Sequence, residues 1–209
     1  MKLSKKTVIL SVIIILLPCL IGLLLWKRLP NTVPTHFDAH NQANGWSSKP
    51  FAVFGIPGLM AGLQLLCLWA TTNDPRRKNI NDKLFNVVIW IVPAVSLLCC
   101  LSSYALALNY RFNITLAVNL FIGVLFLIIG NYLPKAKQNY TVGIKLPWTL
   151  NSEENWNRTH RMSGWLWIAG GLLMIVNAFF GSTILFVITL CIITIPPTIY
   201  SYTLYKKGI

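Results

Sequence analysis

The chain is nearly devoid of acid. Five Asp and Glu residues stand against 18 Lys and Arg in 209 residues, and none of the five falls in the middle of an apolar run. Proton pumps and ion-coupled carriers need ionisable groups within the membrane, so that class loses its main chemical requirement. Histidine is scarce too, with only His36, His40 and His160. The five cysteines, at 19, 67, 99, 100 and 191, all lie in apolar runs. Their odd number and placement exclude a disulfide scaffold and leave the thiols as small hydrophobes.

What the chain has in abundance is apolar length. With 55% hydrophobic and 11% charged residues and a mean hydropathy of +0.61, it falls in the polytopic membrane class. Six runs are long enough to span, at about Thr7–Trp26, Phe51–Ala70, Leu84–Leu108, Ile114–Asn131, Met162–Phe180 and Thr183–Tyr202, each near the ~20 residues a bilayer requires. The first follows a basic start but has spanning length and no small-residue cleavage site, so it reads as a retained span. Pro18 and Pro93 predict kinks, and Pro196-Pro197 predicts a break or sharp bend in the last turns of the sixth run. The expected fold class is therefore all-α, a polytopic integral membrane protein with six transmembrane helices. It divides at the third span into an N-terminal two-span unit, 1–83, and a four-span unit, 84–209. Orientation follows from charge: Lys27, Arg28, Lys49 and Arg111 fall on one side and all other basic residues on the opposite one. The positive-inside rule then makes both termini cytoplasmic, with basic cytoplasmic loops at 71–83 and 132–161 and an outer loop at 27–50. The basic balance needs no nucleic acid to explain it.

Two aqueous segments hold the distinctive chemistry. The outer loop is rich in Pro, Asn and Ser, with Asn44-Gly45 as a turn signal and no regular transmembrane element expected. His36 and His40 have helical ligand spacing, yet no adjacent glutamate accompanies them and Pro34 disfavours a helix. No metal site is assigned. In the cytoplasmic segment, Asn151 followed by Glu154 has capping-box spacing and predicts a helix that runs into the fifth span. Trp156, His160, Gly164 and Trp167 then share one face, with Arg158 and Arg161 beside it in reach of phosphate headgroups. Upstream, Gly143 suits a positive backbone dihedral or a close contact, and Pro147 holds Leu146 extended. No Ser, His and acid set converges, so no catalytic residue is assigned and no cofactor is expected.

These two segments carry a family resemblance. The run Gly130-Asn131-Tyr132, then Asn139-Tyr140-Thr141-Val142-Gly143-Ile144-Lys145, then Trp148 through Arg161 resembles the signature of the SdpI family of bacterial immunity proteins. The outer loop, Val33-Pro34-Thr35-His36-Phe37 followed by Asn44-Gly45-Trp46, is similar to the short uncharacterised domain often found ahead of that signature. Lys145 stands where members usually have arginine, keeping the charge without the planar fork. The resemblance implies a multi-pass cell-membrane protein of a Gram-positive bacterium, one that protects its producer from a secreted antimicrobial peptide by binding rather than catalysis. It also implies capture of a cytosolic transcriptional repressor, so a membrane sensor is one alternative; a lipid or peptide transporter or membrane enzyme is another. The candidate residues are His36, Phe37, Asp38, Asn44, Gly45 and Trp46 on the toxin-facing outer loop. On the cytoplasmic motif they are Gly143, Lys145, Trp148, Ser152, Trp156, Thr159, His160 and Arg161. Beyond the peptide and the repressor, the expected partners are membrane lipids.

Overall fold

A computed structural model describes residues 4–38 and 40–209; Lys2, counted above among the basic residues, lies outside the described residues. In chain order the elements are α1 (Lys5–Leu24), β1 (Thr32–Phe37), β2 (Ala43–Ser48), a π-helical turn (Phe51–Gly55) opening α2 (Ile56–Thr72), α3 (Asp82–Ala107), α4 (Ile114–Tyr132), α5 (Pro147–Asn151), α6 (Glu153–Phe180) and α7 (Thr183–Lys206). Six helices are long and apolar enough to cross a membrane. Large apolar side chains stand open along them, with Leu24 at 84% and Phe180 at 76% exposure. Water would penalise such a surface, whereas lipid tails match it. The chain is a multi-pass membrane protein of the helical class.

The chain clusters into two compact units. One comprises, among the described residues, 4–38, 40–69 and Asn86–Thr115. Its apolar core joins Leu29, Val33, Ala52, Val53, Cys100 and Tyr104, so residues of β1 and of the π turn pack with the end of α3. Polar side chains cross-link its helices. Gln64 Nε2 donates to Ser11 Oγ at 3.2 Å and to the Ile89 carbonyl at 3.0 Å, while Ser96 Oγ donates to the Ile15 carbonyl at 3.0 Å. In hydrocarbon an unmet amide would cost several kcal/mol, and these bonds remove that cost while fixing which helix faces which.

The segment between α1 and α2 forms no spanning element, but it is regular. It is an antiparallel hairpin pairing Thr32 with Ser48, Val33 with Ser47, Pro34 with Trp46, His36 with Gly45 and Phe37 with Ala43, irregular around His36. Asn44-Gly45 is not the turn. The chain reverses over Asp38–Gln42, where Asp38 Oδ1 accepts from the amides of His40 and Gln42, both at 2.9 Å, and Asn41 takes a φ of 61°. Gly45 instead meets a packing demand: a Cβ there would lie 2.9 Å from the His36 Cβ. The Asx turn outcompetes the Asn-Gly signal because its carboxylate satisfies two amides at once. Asn41 Oδ1 also accepts from the Thr115 amide at 2.8 Å, tying the hairpin tip to the start of α4.

The other unit comprises Ala70–Phe85 and Leu116–Ile209. Here α4 and α6 approach through small residues: a Cβ on Gly123 would stand 2.9 Å from the Gly171 carbonyl oxygen, and one on Gly130 would stand 2.8 Å from that of Gly164. Such backbone-to-backbone contact is the usual way helices associate without a hydrophobic driving force. Asn177 Nδ2 donates to Asn119 Oδ1 at 2.9 Å within this interface, and Asn177 Oδ1 accepts from the Ser182 amide at the α6–α7 turn. Two local expectations need correction. Of the break or bend expected at Pro196 and Pro197, the break is not found, and α7 continues to Lys206; hydroxyl back-bonds from Thr194 and Thr198 flank the pair, and spanning helices tolerate proline where such groups support the backbone. Nor does Asn151 cap α6. Ser152 does, its Oγ accepting from the Asn155 amide at 3.2 Å, because Asn151 is already the last residue of α5.

Replacing Asp38 with alanine removes an acceptor shared by two turn amides. Hydrogen exchange over residues 38–48 should quicken by about tenfold, with helix amides unaffected; unchanged exchange would show that the turn does not depend on the carboxylate.

Candidate functional site

Between α4 and α6 the chain has little regular structure, so its backbone polar groups must find side-chain partners. After a 3-10 turn at Leu133–Lys135, Asn139 supplies four bonds. Its Oδ1 accepts from the amides of Thr141 (2.9 Å) and Val142 (2.6 Å), and its Nδ2 donates to the carbonyls of Lys137 (2.8 Å) and Val142 (2.9 Å). Thr149 acts likewise, donating to the Ile144 carbonyl at 2.8 Å and accepting from the Leu146 amide at 2.9 Å. Both side chains are fully buried.

The segment is fastened to α6 at His160. The imidazole Nε2 accepts from the Ile144 amide at 2.9 Å, and Nδ1 lies 2.8 Å from the Trp156 carbonyl. An amide can only donate and a carbonyl can only accept, so the ring is the neutral tautomer with its proton on Nδ1. It stacks on Trp156 with centroids 4.0 Å apart, and Trp156 Nε1 donates to the Ala136 carbonyl at 2.7 Å. Gly143 passes over this stack with a φ of 128°, where a Cβ would fall 2.6 Å from His160 Nε2 and 2.9 Å from the Trp156 ring. Both the dihedral and the space require glycine.

The remaining candidates divide between buried and exposed positions. Thr159 is buried and donates to Asn155 Oδ1 at 3.1 Å, while Asn155 Nδ2 donates to the Ser201 carbonyl at 2.9 Å, linking α6 to α7. Trp148 Nε1 donates to Ser201 Oγ at 2.8 Å. Lys145 and Arg161 are exposed, the former donating to the Thr141 carbonyl at 3.0 Å.

Sequence reasoning passed over the second half of this assembly. Asp74 is buried, and its Oδ2 accepts from the Tyr140 amide at 2.9 Å and from Thr141 Oγ1 at 2.8 Å. Arg76 donates to Gln138 Oε1 and lies over the Tyr140 ring at 5.0 Å. Asn79 Nδ2 donates to the Gln138 carbonyl at 2.8 Å. The basic loop after α2 is thus one structure with the segment before α6. The available signal was slight: Asp74 is the acid that precedes Pro75-Arg76-Arg77-Lys78.

A model of the SdpI/YfhL protein family matches residues 135–201, which contain the Asn139, Gly143 and His160 assembly. Over that stretch the chain is similar to the SdpI/YfhL family. A domain of unknown function, DUF1648, matches residues 13–61 and so contains the hairpin. Immunity protein SdpI of Bacillus subtilis (strain 168) is 28% identical over 211 residues, with 97% of each chain covered. No solved structure matches. In the DUF1648 stretch, His36 Nδ1 lies 2.5 Å from Asn44 Oδ1, Phe37 and Asp38 are half-buried, and Trp46 stands 60% exposed. His36 and His40 are both exposed, and among the described residues no group of three or more His, Cys, Asp or Glu could hold a metal.

Within the stretch that the family model matches, His160→Ala orphans the Ile144 amide and empties the stack, for a loss of about 2–4 kcal/mol. Gly143→Ala disturbs the same contact. Unfolding in detergent micelles should therefore show the double variant less destabilised than the two singles added, with coupling of at least about 0.5 kcal/mol; strict additivity would place the two residues in separate structures.

Proposed function

We propose that the chain is an immunity protein of the cell membrane, protecting the bacterium that makes it by holding a secreted, membrane-active peptide. The carrying observation is a likeness that runs over 97% of the chain to a protein named for immunity, taking in hairpin and membrane helices alike. Holding rather than cutting is the reading that the polar groups favour. Both nitrogens of His160 are engaged with backbone, and the hydroxyls of Thr159 and Ser163 each donate within their own helix. A general base needs a free lone pair in reach of substrate, and this imidazole has already committed its own.

In this reading the hairpin faces outward and meets the peptide. Trp46 is an exposed aromatic anchor, and β1 and β2, as the only strands of their sheet, each keep one unpaired edge. The termini and the 132–161 segment face the cytoplasm, as the positive-inside rule assigns them. A second reading, a sensor that captures a cytosolic repressor, draws on the exposed cations Lys137, Lys145, Arg158 and Arg161 around that segment. The two roles use different faces and are compatible.

The test is survival of a sensitive, immunity-deleted bacterium that expresses the chain, across a dose series of secreted killing peptide. Expression should move survival to higher dose and leave the recovered peptide at its full mass. Trp46→Ala should lower the protective dose about tenfold at equal membrane abundance. Cleaved peptide would contradict holding, and no shift in survival would contradict immunity to that peptide.

A further inference from the structure

Along α6 and α7 runs an open groove of about 510 Å³, lined by Asn157, Arg158, Arg161, Met162, Trp165 and Tyr200. The five α6 residues recur at helical spacing and form one stripe. None of the interactions that organise the His160 assembly uses this face.

Its depth follows from helix length. At 1.5 Å rise per residue, the 28 residues of α6 extend about 42 Å, well beyond the ~30 Å hydrocarbon core. The stretch from Met162 to Phe180 has no charged residue, and counting about 20 residues back from Phe180 reaches Arg161. On α7, counting about 20 residues forward from Thr183 reaches Tyr202, one turn's reach from Tyr200. Both walls of the groove therefore sit where hydrocarbon gives way to headgroups.

Its charge is specific as well. Arg158 Nη2 lies 2.5 Å from Glu154 Oε1, so that pair is internally balanced. Arg161 makes no ion pair among the described residues and leaves the groove with one positive charge. None of the lining residues is acidic, so a cationic headgroup amine has no counter-charge there. Trp165, at 73% exposure, and Met162 supply an apolar wall below the guanidinium. A guanidinium fork accepts a phosphodiester through two parallel bonds, and an aromatic wall beneath it suits the glycerol and upper acyl chain.

We infer that this groove binds the phosphate of an anionic glycerophospholipid such as phosphatidylglycerol, gripped by Arg161 with Arg158 beside it and packed against Trp165 and Tyr200. The site is independent of peptide binding and holds whichever partner the hairpin meets.

The test uses the purified full-length protein in detergent, titrated by native mass spectrometry with phosphatidylglycerol, with phosphatidylcholine of the same chains, and with glycerol 3-phosphate. Phosphatidylglycerol should bind tightest, and Arg161→Gln should weaken it about tenfold while leaving phosphatidylcholine retention unchanged. Arg161→Lys should fall between. Trp165→Ala, on an exposed position that leaves the fold intact, should also weaken phosphatidylglycerol, which keeps the test decisive if Arg161→Gln unfolds. Equal binding of phosphatidylcholine, or full affinity in folded Arg161→Gln or in Trp165→Ala, would overturn the proposal. Glycerol 3-phosphate binding as tightly as the lipid would overturn it in favour of a soluble phosphate ligand.

Discussion

One acceptor lies at the centre of the bonds that hold the segment between α4 and α6: Nε2 of His160, taking the amide hydrogen of Ile144. The surrounding features are conditions for that bond. Nδ1 must carry the proton, and the Trp156 carbonyl receives it. The ring must lie flat, and Trp156 stacks against it. The backbone must pass close over the pair, and only glycine at 143 leaves room. Because α6 is a single helix from Glu153 to Phe180, whatever fixes its first turns also fixes the start of a membrane span. A loop with few backbone-to-backbone bonds thereby becomes as determinate as the helices beside it.

Asp74 closes the structure from the other direction. It reaches across 66 residues of sequence to the Tyr140 amide, so the basic loop after α2 and the segment before α6 form one surface. The polar side chains that do this, Asp74, Asn139, Thr149 and Asn155, are spent on backbone. Arg76 is half-buried and joins them through Gln138 and Tyr140, whereas Lys137, Lys145, Arg158 and Arg161 remain outside. A buried scaffold of neutral and acidic groups under an exposed rim of Lys and Arg suits a face that recognises partners through charge while its own geometry stays constant.

The helical class and all six spans were legible because membrane helices announce themselves by length and apolarity, which require no tertiary knowledge. Gly143 was legible as well, since few other roles explain a glycine between Val142 and Ile144. The continuity of α6 across its aqueous start was read correctly, although its cap was placed one residue early. Pro34 was read only as disfavouring a helix, and the hairpin itself left no local signal, because its strands are held by pairing and by packing of Val33 in the core. Asp74 was missed, and Asn139 was noted only within the family run, for a different reason. Their partners are amides of an irregular loop, and no spacing rule points from a side chain to a backbone group whose position depends on the fold. Whether the hairpin meets a peptide is a matter of surface, on which periodicity is silent.

The most direct test of this arrangement is the tautomer of His160, read by long-range nitrogen-proton NMR on histidine-labelled protein in micelles, with the signal assigned by its loss in His160→Gln. The account predicts a neutral ring at pH 7 with the proton on Nδ1 and an unprotonated Nε2. A proton on Nε2, in either the other neutral tautomer or the imidazolium, would contradict it, because Ile144 would then face a donor and its bond to α6 would be gone.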